Sequence, residues 1–237
     1  MAQTRVGIRN GALFNNNSTL WNNLLAYYTG DNTSNDALGN YNGILTNGAN
    51  YGTGIINQGF KFDGVNDYVN LGNNLDFDGT TPFSISTWVN LNNVNRLNTI
   101  LSKQVSATAQ GYFIRVQENN KIRFWLGGTP FGNALYIEST TTLTSSNWYN
   151  IVITYDGSRN TNGLKLYIND VETTFNSLYN NLNSSTSNSH IFAIGSQYGT
   201  TSFMSGIQDE LGIWDRVLTP TEITELYNSG NGKQYPN

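Results

Sequence analysis

The chain has 237 residues, of which 38% are hydrophobic and 13% aromatic but only 12% charged. That is one large domain or two small ones, with enough ring and aliphatic material for a core, so wholesale disorder is excluded. Twelve basic residues against sixteen acidic ones leave a net charge of −4, so no nucleic-acid partner is expected. The absence of cysteine excludes disulfides and thiolate metal sites, and the single histidine, His190, leaves little scope for multi-histidine centres.

Residues 1–23 are polar and Asn-rich, with scattered apolar residues and no clean periodicity. They read as an N-terminal arm, with Phe14 and Trp21 as rings that need a partner to cover them, either on the domain or on another protein. No apolar run is long enough for a signal-peptide core or a membrane span. The chain, starting with Met, is therefore expected to be a complete translation product with no membrane insertion. It is expected to act inside a cell or to leave by assembly into a virion.

From Leu24 onward the pattern changes to short strand-like runs punctuated by Asn, Gly and Asp. The runs are Leu24–Tyr28, Gly59–Phe62, Tyr68–Leu71, Phe83–Leu91, Thr99–Lys103, Tyr112–Gln117 and Lys121–Leu126. Leu135–Leu143, Trp148–Tyr155, Leu164–Asn169, His190–Gly195 and Phe203–Trp214 complete them. In the fourth, Phe83 and Ile85 share one face while Ser84, Ser86 and Trp88 share the other. Two leucines and Ile168 alternate with Lys165 in the same way. Glu118 to Lys121 reads as a hairpin connection. A dozen short strands with no long helical period indicate an all-β, antiparallel sandwich or barrel.

One helix is predicted at the C-terminal end. Thr219, Pro220 and Glu222 form a capping box, Ile223, Leu226 and Tyr227 follow as one apolar stripe, and Gly230 closes it. The expected division is an arm at 1–23, a sandwich at 24–230 and a polar tail at 231–237. Asparagine is the unusual residue, at 38 of the 237. It suits tight turns, and the surplus is read either as codon bias or as an adhesive surface rich in amides.

In this order the runs resemble the laminin G-like, or concanavalin A-like, jelly-roll domains. The likeness rests on Asp36-Ala37-Leu38-Gly39-Asn40-Tyr41-Asn42-Gly43 and on Phe62-Asp63-Gly64-Val65-Asn66-Asp67-Tyr68-Val69. It also rests on the strand run from Trp148 and on Asp209-Glu210-Leu211-Gly212-Ile213-Trp214-Asp215-Arg216 before the helix. It covers about residues 24–229. The resemblance implies a two-sheet antiparallel jelly-roll sandwich with one short C-terminal helix.

The fold also hosts glucanases, which present a Glu-x-Asp-x-Glu triplet on one strand face. No such triplet occurs here, and no catalytic residue or enzymatic activity is expected. For a metal, the loop offers Asp36, Asn40 and Asn42, either as oxygen ligands for calcium or as a turn closed by hydrogen bonds alone. The resemblance extends a structural calcium role to Asp209 and Glu210. Trp125, Phe131, Tyr136 and Tyr198 lie in or near Gly- and Asn-rich segments and are candidate sugar-binding rings. Trp88, Trp148 and Trp214 are assigned to packing.

The function expected is a non-enzymatic structural or adhesion protein of a virion, such as a bacteriophage decoration, fibre or tail-associated protein. It would carry a lectin-like sandwich for a host-surface glycan and bind other virion proteins or itself as a homo-oligomer. The alternative is a free or secreted carbohydrate-binding lectin, found outside the cell. A glycoside hydrolase ranks behind both.

Overall fold

Side chains of a strand alternate between faces, so a strand of a sandwich sends every second residue between the sheets. In Phe83–Leu91 the residues Phe83, Ile85, Val89 and Leu91 enter the common core, while Trp88 faces outward and stacks on Tyr227, 5.6 Å between centroids. Leu164, Leu166 and Ile168 enter the same core from their strand, and Lys165 is exposed. The computed structural model describes residues 18–235 in full and, before them, the backbone of Ile8–Arg9 (β1) and Ala12–Leu13 (β2), which pair with each other. Phe14 lies outside the described residues.

The sandwich begins with β3 (Leu24–Tyr28), β4 (Ile44–Thr46), β5 (Asn50–Thr53), β6 (Gln58–Asp63), β7 (Tyr68–Asn70) and β8 (Phe83–Leu91). It continues through β9 (Asn98–Gln104), β10 (Gly111–Val116), β11 (Lys121–Gly127), β12 (Ala134–Thr142) and β13 (Trp148–Tyr155). It ends with β14 (Leu164–Ile168), β15 (Val171–Thr173), β16 (Phe175–Asn180), β17 (Phe192–Ile194) and β18 (Ser205–Trp214), followed by α1 (Pro220–Tyr227). One sheet runs β16-β12-β11-β10-β9-β17-β7-β4. The other runs β15-β14-β13-β8-β18-β6-β5, with β3 also paired to β18. The pairings are antiparallel throughout, and the architecture is an all-β, two-sheet jelly-roll sandwich with a short C-terminal helix. No helix among the described residues is long and apolar enough to cross a membrane.

The turn at Phe62–Tyr68 shows how the polar residues act. Gly64 takes φ +83°, which a side chain would resist. Asp63 accepts the Val65 N–H at 2.7 Å, and Asp67 accepts those of Asp63 at 3.0 Å and Gly48 at 2.7 Å. Asparagine has a matching use. Among the described residues, seven of sixteen non-glycine positions with positive φ are Asn, so part of the surplus is turn chemistry.

The two outer faces differ. That of the β13–β8–β18 sheet is roofed by a second core, in which Leu20, Tyr27, Val152, Trp214, Leu218, Ile223 and Leu226 pack together. Trp21, expected to be covered either by the domain or by a docking partner, belongs to this roof. It stacks on Trp214 at 6.3 Å and meets Tyr27 and Tyr235 edge-on. Arg216 donates to the carbonyls of Thr19, Leu20 and Asn22, which fastens the chain entering β3. Residues 18–23 and the described end of the tail therefore pack on the sandwich, and the boundaries drawn at 23 and 230 do not separate them from it.

The capping box is present as predicted, with the Glu222 N–H donating to Thr219 Oγ1 at 3.3 Å and the Thr219 N–H to Glu222 Oε2 at 2.9 Å. The helix stops earlier than predicted. Asn228 takes the left-handed cap at φ 48°, two residues before Gly230.

Candidate functional site

The opposite outer face, on the β16–β12–β11–β10 side, has no such roof. Along β10, Tyr112, Ile114 and Val116 enter the main core, so Phe113 and Arg115 point outward. The register then places Phe113 opposite Trp125, Arg115 opposite Arg123, Trp125 opposite Tyr136 and Tyr136 opposite Tyr179. Cross-strand pairing alone thus assembles an aromatic row on this face. Trp125 and Phe113 stack at 6.3 Å, Tyr136 meets Trp125 edge-on at 5.2 Å, and Tyr179 stacks on Tyr136 at 5.9 Å. The loop after β11 returns Phe131 over Trp125, 5.5 Å away and nearly parallel. Trp125 is consequently 2% exposed and Phe131 is 68% exposed.

Beside these rings is a cavity of about 200 Å³, lined by Gln104, Ala109, Phe113, Arg115, Trp125, Phe131, Tyr136, Gln197 and Tyr198. Its polar groups hold one another in place. Arg115 Nη1 donates to Gln197 Oε1 at 3.1 Å. Gln197 Nε2 donates to Gln104 Oε1 at 2.9 Å and to the Tyr198 hydroxyl at 3.0 Å. Gln104 Nε2 and Trp125 Nε1 both donate to the Ala109 carbonyl, at 3.0 and 2.8 Å. Burial raises the Tyr198 hydroxyl above its ordinary value, so it stays protonated at neutral pH. Ala109 and Tyr198 carry positive φ, 57° and 62°, and strained backbone of this kind concentrates at ligand sites. A larger hollow of about 680 Å³ lies between α1, Ile56 and residues 232–234, but no aromatic ring lines it.

All four expected ring residues, Trp125, Phe131, Tyr136 and Tyr198, line this one cavity. Their parts differ: Trp125 is the covered floor and Phe131 the exposed wall. Sequence reasoning missed Phe113, Arg115, Gln104 and Gln197. Alternation along β10 would have placed Phe113 and Arg115 on the open face. The two glutamines meet only through the pairing of β17 with β9, and no local signal announces that.

The expected calcium residues fall into two groups. Asp36 is buried and accepts four backbone N–H bonds, from Tyr27 at 2.8 Å, Leu38 at 3.1 Å, Asn40 at 3.0 Å and Tyr41 at 3.3 Å. Asn42 accepts from the Asp36 N–H at 3.1 Å, and the side chains of Asn40 and Asn42 are at the surface. The loop is thus closed by hydrogen bonds, each amide dipole doing at Asp36 what a cation would do.

The second group sits where β18 changes partners from β6 to β3 and its register against β8 shifts. Glu210 adopts φ 50° there, and both carboxylates are buried. Asp209 accepts the N–H groups of Ile55, Ile56 and Glu210, and Glu210 accepts the Tyr27 hydroxyl at 2.5 Å. Glu210 Oε1 has no partner among the described residues. Burial pushes Asp209 up to about 7 and, with the Asp209 charge beside it, Glu210 up to about 9. Among the described residues, no three His, Cys, Asp or Glu side chains converge as a group that could hold a metal ion, so Asp36 does not join this pair.

Residues 63–224 match the family model described as the concanavalin A-like lectin/glucanases superfamily. No curated protein matches the chain. Among solved structures, the fold is similar to domain 4 of AbnA, a GH43 extracellular arabinanase from Geobacillus stearothermophilus, in complex with arabinotriose. The TM-score is 0.64 at 22% identity, covering 85% of this chain and 97% of that one. The binding domain of Paraclostridial Mosquitocidal Protein 1 aligns with TM-score 0.70 at 20% identity over 89% of this chain and 53% of that one. The botulinum neurotoxin serotype D binding domain aligns with TM-score 0.65 at 16% identity over 87% and 52%. The chain spans about half the length of these two toxin structures.

Proposed function

Because the chain belongs to the concanavalin A-like lectin/glucanases superfamily, we propose that it is a glycan-binding sandwich that holds its ligand without cleaving it. The observation that carries this reading is the cavity on the unroofed sheet face. Rings stack on the C–H faces of sugars, and amides and a hydroxyl meet their O–H groups. At about 200 Å³ the cavity is smaller than the roughly 300–1,000 Å³ of typical small-molecule clefts, which suits one sugar ring of a longer chain. No aspartate or glutamate lines it, and the absence of the usual carboxylate pair from the lining supports binding over cleavage. The arabinotriose bound to the arabinanase domain of similar fold supports the same reading.

The setting proposed is a virion, with the sandwich displayed on a decoration, fibre or tail-associated protein and the segment before residue 18 joining it to its neighbours or to itself. A charge-poor, Asn-rich composition supports this context. Calcium enters as a structural ion at Asp209 and Glu210, where the unpartnered Oε1 and two buried carboxylates would accept a cation. Asp36, saturated by N–H donors, is left to its loop.

A glycan array probed with wild type and Phe131→Ala tests the binding reading. Retention of wild type on a defined set of glycans, lost in Phe131→Ala, is the expected result. Retention on none of them, or undiminished binding by the variant, would contradict it.

A further inference from the structure

The unroofed sheet face carries three cations in a row, Arg115 on β10 with Arg123 and Lys121 on β11. Two of them share one carboxylate. Glu138 takes Arg123 at 2.6 Å and Lys121 at 3.7 Å. The third, Arg115, pairs with no carboxylate among the described residues, although it is half-buried and lines the cavity.

Its guanidinium is nonetheless fixed. Its carbon lies 4.5 Å from the centroid of the Phe113 ring, which orients the charged plane. Gln197 accepts from Nη1 at 3.1 Å, and the Gln117 amide, with its oxygen turned to the guanidinium, accepts from Nη2 at 2.9 Å and from Nε. Three of the five N–H donors are therefore used on neutral amides. Two remain, one on each terminal nitrogen of the planar guanidinium fork, as donors for an anion such as a carboxylate. Amides orient a cation without neutralising it, and a charge held away from water gains most from an anion. No acid lines the cavity, and the chain as a whole is net negative, so the attraction is local to this site.

We infer that the sugar seated here carries a carboxylate and that Arg115 reads it. This rests on the glycan-binding reading above and names the ligand class for the same cavity. Uronic acids and sialic acids share that chemistry, and a paired titration separates them. Tri-galacturonic acid is compared with its methyl ester, and sialyllactose with its methyl ester, each followed by tryptophan fluorescence.

The expected result is that one acid binds at least tenfold more tightly than its neutral counterpart, about 1.4 kcal/mol. Arg115→Gln should bring that ratio close to one. The galacturonate pair responding identifies a uronic acid, and the sialyl pair a sialic acid. Should Arg115→Gln fail to fold, the wild-type ratio still decides, and Arg115→Lys, which keeps the charge but loses the fork, should lower it. Equal binding of acid and neutral forms would overturn the inference and leave glycan binding standing. Binding of none of the four would also overturn it, and the glycan array then judges the broader reading separately.

Discussion

Two rings 5.5 Å apart in the cavity have opposite energetic roles. Trp125 is enclosed by Phe113, Phe131 and Tyr136, so Trp125→Ala should destabilise the fold by about 3–5 kcal/mol. Phe131, largely exposed, has little to lose on truncation, and Phe131→Ala should stay within about 0.5 kcal/mol of wild type. Urea unfolding of both variants checks this, and equal losses would mean that Phe131 supports the fold rather than the ligand. A third residue sets a pH dependence. Burial alone would raise Glu222, but hydrogen bonds from Arg216, Thr19 and Thr219 outweigh it and hold the carboxyl down at about 2. A carboxylate depressed below its unfolded value stabilises the fold above that value, near 4.3, and loses the contribution as pH falls toward 2. Melting curves should therefore show Glu222→Gln less stable than wild type at pH 6 and converging with it by pH 2. Parallel curves would contradict the ion pair's role.

At the level of elements, α1 depends on its cap. Eight residues are too few for a stable isolated helix, so Thr219→Ala should cost about 1 kcal/mol, read as a lowered denaturant midpoint. No loss would mean that packing of Ile223 and Leu226 alone holds it. The capping box was legible because its signal is local, whereas the helix end was misplaced because Asn228 substitutes for glycine in the left-handed cap. The strands divide by the same logic. β3, β8 and β13 fall where the alternation and β-branched runs predict them. The four unpredicted strands of the sandwich, β4, β5, β15 and β16, are those at the sheet edges, short or exposed along their length. An edge strand buries little, so nothing forces the alternation by which a sequence reveals a strand. The four ring residues were legible from their turn-rich surroundings. Alternation along β10 also reaches Arg115, whereas Gln104 and Gln197 were not legible, since they come from a strand and a loop far apart in sequence.

For the molecule as a whole, the two outer faces explain the division of labour. One is covered by α1 and residues 18–23 of its own chain, clasped through Arg216 and Trp214, whose indole donates to the Leu20 carbonyl at 2.8 Å. The other leaves Phe131 exposed beside the cavity proposed to take the glycan. Deleting residues 1–17 should remove any particle association, which co-sedimentation checks, whereas deleting 1–23 should also lower the melting temperature by uncovering Trp214. Calcium at Asp209 and Glu210 should raise the melting temperature by several degrees, with chelator reversing it, because a ligand at 100 times its dissociation constant adds about 2.7 kcal/mol. An unchanged melt would remove calcium from the account.

A ligand entering beside Trp125 would be reported by the indole N–H signals of the five tryptophans. Trp125 Nε1 bonds the Ala109 carbonyl at the cavity rim, whereas Trp214 lies under the roof of the opposite face. Titration with a glycan retained on the array should shift the Trp125 indole resonance and leave those of Trp214 and Trp21 in place. A shift at Trp214 or Trp21 with Trp125 unmoved would put the ligand on the wrong face and contradict the account.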